Sequence, residues 1–150
     1  MAINPNTDFS SGAVLTAAQQ NRFPRGVMSY TSRITTSTGI TATAVQITGT
    51  SFTAVANRYY RITYYEPVIS NTTTADVILS ILNGATQLQA NVIPANASFA
   101  NTGICQIVTT FTAGSVTLTG NLRSPTSGST TSTRSSTLVA FLLVEDIGPA

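Results

Sequence analysis

Hydrophobic and polar residues alternate with a period of two over most of the chain after residue 26, which is the spacing of a half-buried β-strand. In the segment 58–66, RYYRITYYE, the alternation puts three residues on one face, Tyr60, Ile62 and Tyr64, and four on the other, Tyr59, Arg61, Thr63 and Tyr65. Seven further segments have a strand pattern: 27–35, 40–48, 75–82, 86–93, 104–111, 115–122 and 136–145. The chain is therefore predicted to form eight strands.

Turn residues separate these segments. Asn83-Gly84 predicts a hairpin with a type I′ turn, because both residues tolerate positive φ. Ala113-Gly114 predicts a second hairpin, which joins segments 104–111 and 115–122. Pro67 is expected to end its strand or to mark a sheet edge, since it has no backbone N–H. Residues 123–136 hold no large apolar residue, so a mobile surface loop is expected there.

Eight short strands with hairpin signals are typical of two antiparallel sheets packed face to face. The abundance of threonine, 27 residues, supports strands as well, because a β-branched side chain fits a pleated surface. We therefore predict an all-β fold, an eight-stranded jelly-roll-like β-sandwich with an N-terminal extended arm and one short helix.

The N-terminal part of the chain departs from the strand pattern. Residues 1–13 are polar and rich in turn residues, and an extended arm is expected there. The sequence Thr16-Ala-Ala-Gln19 fits a capping box, and Pro24 ends any helix soon afterwards, so helix is confined to roughly residues 14–22. The chain divides into an arm (1–26) and a sandwich knob (27–150).

The last predicted strand is apolar on both faces. Leu138, Ala140, Leu142 and Val144 are expected to face the core. The other face then carries Val139, Phe141 and Leu143, where a monomer would expose them. An exposed apolar patch usually marks an interface, so these three residues are predicted to bind other copies of the chain. The alternative is that a loop of the same chain covers them.

Composition limits the partners of this protein. Only 8% of its 150 residues are charged and the formal net charge is +2, with seven scattered arginines and no lysine. A nucleic-acid surface needs clustered cations, so no nucleic-acid partner is expected. No segment has the length of an apolar membrane span, and the first residues lack the features of a signal peptide. No membrane partner is expected.

Residues able to perform catalysis are few. The chain has no histidine, which excludes Ser-His and Cys-His nucleophilic pairs. Among its five acidic residues, Glu145 and Asp146 should point to opposite faces of a strand, which leaves Glu66 with Asp76 as the remaining candidate pair. The lone Cys105 lies in an apolar run and is predicted to be a buried hydrophobe. We expect no enzyme activity, no metal and no cofactor.

The tyrosines of segment 58–66 form the one aromatic cluster. Tyr59, Arg61 and Tyr65, on one face of the strand, are a candidate platform for a sugar or a receptor, because tyrosine rings pack on apolar ligand surfaces. The alternative is cross-strand packing within a sheet, with Arg58 and Arg61 lying over the rings.

Three segments resemble small structural proteins of tailed bacteriophages, which are described as head-fibre, capsid-decoration or minor tail proteins. The segments are TDFSSGAVLTAAQQNRFPRGVM (7–28), ANRYYRITYYEP (56–67) and FLLVEDIGPA (141–150). The resemblance covers most of the chain, and its motifs are structural. It implies a homotrimeric β-sandwich on the exterior surface of a phage particle, attached through its N-terminal segment.

Under this resemblance, the attachment residues are Phe9, Leu15, Arg22, Phe23, Pro24 and Arg25, and their partner is the major capsid protein or another virion protein. The alternative is that the arm packs on its own sandwich. Two functions remain open: decoration of the capsid, or a tail-fibre or tail-tip knob that binds a host-surface receptor or glycan.

Overall fold

The computed structural model describes residues 12, 14, 16–96, 98–124 and 128–150. The predicted attachment residues Phe9 and Leu15, together with most of the predicted extended arm, lie outside the described residues. Within the described residues the fold is all-β, as the alternation of the sequence predicted, and it resembles a β-sandwich.

The described residues form one helical turn and twelve strands. They are α1 Ala17–Gln20, β1 Gly26–Arg33, β2 Ser37–Ile40, β3 Ala44–Thr48, β4 Phe52–Ala54, β5 Arg58–Asn71, β6 Ala75–Asn83, β7 Thr86–Ala95, β8 Asn101–Thr110, β9 Gly114–Val116, β10 Leu118–Arg123, β11 Thr130–Ser132 and β12 Ala140–Pro149.

Two antiparallel sheets make up most of the fold. The first has the strand order β1-β12-β5-β11-β2, with β8 paired to β5 as well, and the second has the order β3-β10-β6-β7. A small third sheet pairs β4 with β9. The long strand β5 therefore lies in the middle of the first sheet.

The core lies between the two large sheets. The first sheet contributes Tyr60, Ile62, Tyr64, Ile69, Leu142 and Val144, and the second contributes Ile47, Val77, Leu79, Ile81, Leu118 and Leu122, all buried. At Gly120 the backbone of β10 approaches the Tyr64 ring so closely that an added Cβ would lie 2.7 Å from a ring carbon. Gly103 on β8 packs in the same way against Ile69 and Ile93. The two sheets are therefore closely packed at Gly103 and Gly120.

The described residues form twelve strands where eight were predicted, because β4 and β11 lie outside the predicted segments and segments 40–48 and 115–122 are each divided between two strands. Segment 40–48 is divided, since β2 pairs in the first sheet and β3 in the second. The last strand begins at Ala140 instead of residue 136. Leu138 precedes it in a turn and is 38% exposed, so its predicted place in the core was wrong.

The two predicted hairpins have different outcomes. Strands β6 and β7 form a hairpin, but Asn83 pairs with Thr86, so the turn residues are Gly84 and Ala85. Only Gly84 has positive φ, at 58°, which fits the φ signs of a type II′ turn and not type I′. The second hairpin was wrong: β8 pairs with β5, whereas β10 lies in the other sheet.

The predicted surface loop at 123–136 was wrong in part, because it contains a strand and a buried arginine. Thr130–Ser132 form β11, which pairs with both β5 and β2, and Arg134 is buried. Pro67 does not end its strand either. Strand β5 continues to Asn71, with a shift of register between Glu66 and Ile69 that absorbs the proline.

The helical turn α1 has the capping box that the sequence predicted. The Thr16 hydroxyl accepts a hydrogen bond from the Gln19 backbone N–H, and the Gln19 side chain accepts one from the Thr16 backbone N–H. Among the residues that the structure describes, no helix is long and apolar enough to cross a membrane.

Candidate functional site

The strands β8, β5, β12 and β1 lie side by side and present one surface that points away from the core. We call this surface the outer face. Its residues are Val27 and Tyr30 on β1, Phe141, Leu143 and Glu145 on β12, Tyr59, Arg61, Thr63 and Tyr65 on β5, and Ile104, Gln106 and Val108 on β8. Two of the predicted interface residues, Phe141 and Leu143, therefore share one surface with the predicted ligand platform, whereas Val139 precedes β12.

An aromatic cluster occupies one end of the outer face. The rings of Tyr65 and Phe141 stack with 5.2 Å between centroids, and Tyr30 lies 6.0 Å from Phe141 on the other side. Ile104 continues this row, because it is the cross-strand partner of Tyr65 on β8. Phe141 is thus half-buried by its own sheet neighbours, while Tyr30 and Ile104 are more than half exposed.

An ion pair crosses the middle of the outer face. Arg61 donates from Nε to Glu145 Oε2 over 2.9 Å, and this hydrogen bond raises the pKa of the Arg61 guanidinium. Both side chains are partly exposed, so the pair contributes little to stability. Val108 is the cross-strand neighbour of Arg61, and Val27 is that of Glu145. The charges of Arg61 and Glu145 therefore neutralise each other, and the cross-strand neighbour of each is an apolar residue.

The apolar side chains of the outer face remain accessible. Val27 and Tyr30 on β1 and Ile104 and Val108 on β8 are each at least half exposed, and they flank the partly exposed side chains of β12 and β5. Val139 and Leu143 are half-buried, as is Phe141. Clustered exposed apolar side chains mark interaction surfaces more often than scattered ones do. The outer face is therefore the surface best suited to a partner.

An open cleft lies at the end of the outer face opposite the aromatic cluster. Its volume is about 690 Å³. Its lining residues come from the chain before β5, from the end of β8 and from the end of β12: Ala56, Asn57, Tyr59, Thr109, Thr110, Phe111, Thr112 and Ala150. Asn57 adopts a left-handed φ of 59°, and its carbonyl accepts a 2.9 Å hydrogen bond from the Ala150 N–H. Tyr59, a predicted platform residue, is thus separated from the aromatic cluster.

A buried ion pair connects the N-terminal elbow, residues 21–25, to the sandwich. Arg58 donates to both carboxylate oxygens of Asp146, from Nε over 2.5 Å and from Nη2 over 2.7 Å. Its Nη1 donates to the carbonyl of Asn21 and its Nη2 to that of Phe23, each over 2.6 Å. Arg58 therefore does not lie over the tyrosine rings, as one interpretation of the sequence expected. It clamps the elbow onto the ends of β5 and β12.

This contact agrees with the alternative that the N-terminal segment packs on its own sandwich. Arg58 binds backbone carbonyl groups of the elbow, so this contact does not depend on the identity of the elbow side chains. Phe23, Pro24 and Arg25 have exposed side chains, and Arg22 is partly buried. The boundary predicted at residue 26 thus falls after a segment that contacts the sandwich.

The alternation of inward and outward positions along β5 and β12 could have predicted that Arg58 and Asp146 point into the protein. Arg58 has the same parity as Tyr60 and Tyr64, which face the core, and Asp146 has the parity of Val144. The opposite orientation of Glu145 and Asp146 was predicted and is confirmed. The missing information was that the two buried charges pair with each other.

The candidate acidic pair has separate environments. Glu66 is fully buried on β5, where its carboxylate accepts hydrogen bonds from Arg134 Nη2 over 2.6 Å, from Ser132 Oγ over 2.5 Å and from the Tyr64 hydroxyl. Burial, with the nearby Glu66 charge, raises the pKa of Tyr64 well above its usual value. Asp76 is exposed on β6, in the other sheet. The structure therefore does not bring these carboxylates to one site.

The remaining reactive group is Cys105, which is buried as predicted. Burial raises the pKa of its thiol to about 11, so the nucleophilic thiolate is scarce near neutral pH. Among the described residues, no three histidine, cysteine or acidic side chains lie together in a group that could hold a metal ion.

Comparisons with known proteins give a structural match. No family model and no curated protein matches the chain. Among solved structures, the chain is similar to the CBM22-1 xylan-binding domain from Paenibacillus barcinonensis Xyn10C, with a TM-score of 0.38 and 12% sequence identity, over 86% of this chain and 99% of that one.

Proposed function

We propose that the protein is a structural, non-catalytic protein of a tailed-phage particle, which assembles as a homotrimer through its outer face and attaches through its N-terminal segment. The observation that carries the proposal is the set of apolar side chains on four adjacent strands, which are exposed on β1 and β8 and partly exposed on β5 and β12. A second copy of the chain offers the matching chemistry, since the outer face is apolar with one internally neutralised ion pair. The number three and the phage particle come from the resemblance of the sequence.

The elbow is suited to docking on a particle. Its carbonyls bind Arg58, so its position relative to the knob is fixed, while Phe23 and Arg25 present side chains at the surface. An apolar ring beside a guanidinium can fill a pocket and pair with a carboxylate of a shell protein. Capsid decoration is the preferred location, on the exterior surface of the head.

The attachment role can be separated from folding. Phe23→Ser combined with Arg25→Glu keeps the carbonyls that bind Arg58, so the knob should stay folded. Added to particles that lack the protein, this variant should bind much more weakly than the wild type. Arg123→Glu, which makes the same charge change at an exposed position on β10, is the matched control and should bind normally. Equal binding by all three proteins would contradict the attachment role.

The second candidate function is a tail-fibre or tail-tip knob that binds a host surface. The cleft beside Tyr59 favours it, because it is a concave site next to an aromatic ring. Electron microscopy of particles labelled on this protein distinguishes the two locations. Many copies over the head support decoration, and a few copies at the tail tip support the knob.

A further inference from the structure

We propose that the cleft beside Tyr59 is a binding site for a neutral oligosaccharide. The cleft lies at the end of the outer face opposite the aromatic cluster of Tyr30, Tyr65 and Phe141. The proposal is independent of where the protein lies on a particle, because it concerns the chemistry of the cleft alone.

The side chains that line the cleft are uncharged and rich in hydroxyl groups. Tyr59 and its cross-strand partner on β8, Thr110, both line the cleft. Thr109 and Thr112 add two more hydroxyls, and Asn57 adds an amide. A charged ligand would find no countercharge on these side chains, whereas a sugar offers an apolar ring face to the tyrosine and hydroxyls to the threonines. The chemistry therefore selects a neutral, polyhydroxylated ligand.

The cleft is preformed. Phe111 in its floor packs against Phe52 and Tyr60, with ring centroids 6.0 Å and 5.6 Å away. The Tyr60 hydroxyl accepts a 2.8 Å hydrogen bond from the Val55 N–H, which holds the chain that leads into Asn57. A rigid site avoids the entropic cost of ordering its side chains when a ligand binds. The volume of about 690 Å³ is also within the usual range for a small-molecule site.

The other two residues of the predicted platform are engaged elsewhere. Arg61 is paired with Glu145, and Tyr65 is stacked on Phe141. A ligand at Tyr59 does not require either contact to break. Of the predicted platform of Tyr59, Arg61 and Tyr65, the proposed site therefore keeps Tyr59. It also contains the β8 residues Thr109 and Thr110.

The test is an NMR titration of the full-length protein with a panel of neutral hexose and pentose hexasaccharides. At least one should shift the backbone signals of Asn57, Thr110 and Thr112 in a saturable way. Tyr59→Ala should weaken that binding about tenfold or more, whereas Tyr59→Phe, which keeps the ring, should bind nearly as well as the wild type. Phe99→Ala removes an exposed ring outside the cleft and should change nothing.

Three outcomes would overturn the proposal. They are binding by none of the neutral hexasaccharides, shifts that map outside the cleft, and unchanged binding by a folded Tyr59→Ala protein. None of them would bear on self-association or on particle attachment, which are measured without a sugar.

Discussion

The ring of Phe141 stacks on the ring of Tyr65, with 5.2 Å between their centroids and 23° between their planes. From the sequence, Phe141 was assigned to an interface between copies and Tyr65 to a ligand platform. Because the residues are cross-strand partners on β12 and β5, the two roles compete for one surface. Tyr59 and Tyr65 lie at different places along β5, Tyr59 at the cleft and Tyr65 in the aromatic cluster.

The contact between Gly120 and Tyr64 predicts a sharp packing defect. A Cβ at position 120 would lie 2.7 Å from the Tyr64 ring, whose hydroxyl is held by the buried Glu66. Gly120→Ala should therefore destabilise the protein by about 1–3 kcal/mol, the usual cost of overpacking. Urea unfolding followed by circular dichroism measures this change. Restoration of stability by a second change, Tyr64→Leu, would attribute the loss to this contact, and a neutral Gly120→Ala would refute the close packing.

The buried ion pair of Arg134 and Glu66 should show strongly non-additive energetics. Arg134→Met leaves Glu66 as an unpaired charge without exposure to water, and should cost about 3–5 kcal/mol. The double variant Arg134→Met, Glu66→Leu removes both charges and should be more stable than the single variant. Chemical unfolding of the wild type, Arg134→Met, Glu66→Leu and the double variant gives the coupling energy. Additive effects would mean that the pair does not form.

The clamp between Arg58 and the elbow predicts where the knob can be shortened. A chain that starts at Thr16 keeps the carbonyls of Asn21 and Phe23, whereas a chain that starts at Val27 loses both. The second truncation should be less stable than the first by about 1–3 kcal/mol, because a buried donor loses its acceptors. Thermal unfolding compares them.

A control for this prediction removes the clamp itself. With Arg58→Met and Asp146→Leu, the two truncations should differ much less in stability, since no buried guanidinium needs the elbow. An equally large difference in that background would show that the elbow stabilises the knob through other contacts.

The sequence predicted the elements whose signal is local. Alternation located β5 and the orientation of its side chains, and the capping box located α1, because both patterns depend on residues within a few positions of each other. The hairpin of β6 and β7 was predicted for the same reason. Its turn type was missed, because the turn is shifted by one residue onto Gly84 and Ala85.

The features that were missed depend on distant contacts. Strand β11 holds only hydroxyl side chains, so no apolar periodicity marks Thr130–Ser132, and its burial arises from pairing with β5 and β2. Arg134 is buried because Glu66 lies opposite it, 68 positions away in the chain. The partners of β8 and β10 were likewise not fixed by the turn between them. At the candidate site, the sequence identified Tyr59 and Phe141, but their spatial relation required the sheet order.

The most direct test of the outer face as a self-association surface is the solution mass of three proteins by sedimentation equilibrium at micromolar concentration. Ile104→Asp places a charge on the outer face, and Val92→Asp places one on β7 of the other sheet, where the side chain is similarly exposed, at 55% against 52%. Neither position is in the core, so both variants should stay folded. If the outer face joins a homotrimer, the wild type and Val92→Asp should have the mass of three chains, and Ile104→Asp should have the mass of one chain. A monomeric wild type, or an Ile104→Asp protein that remains trimeric, would contradict it.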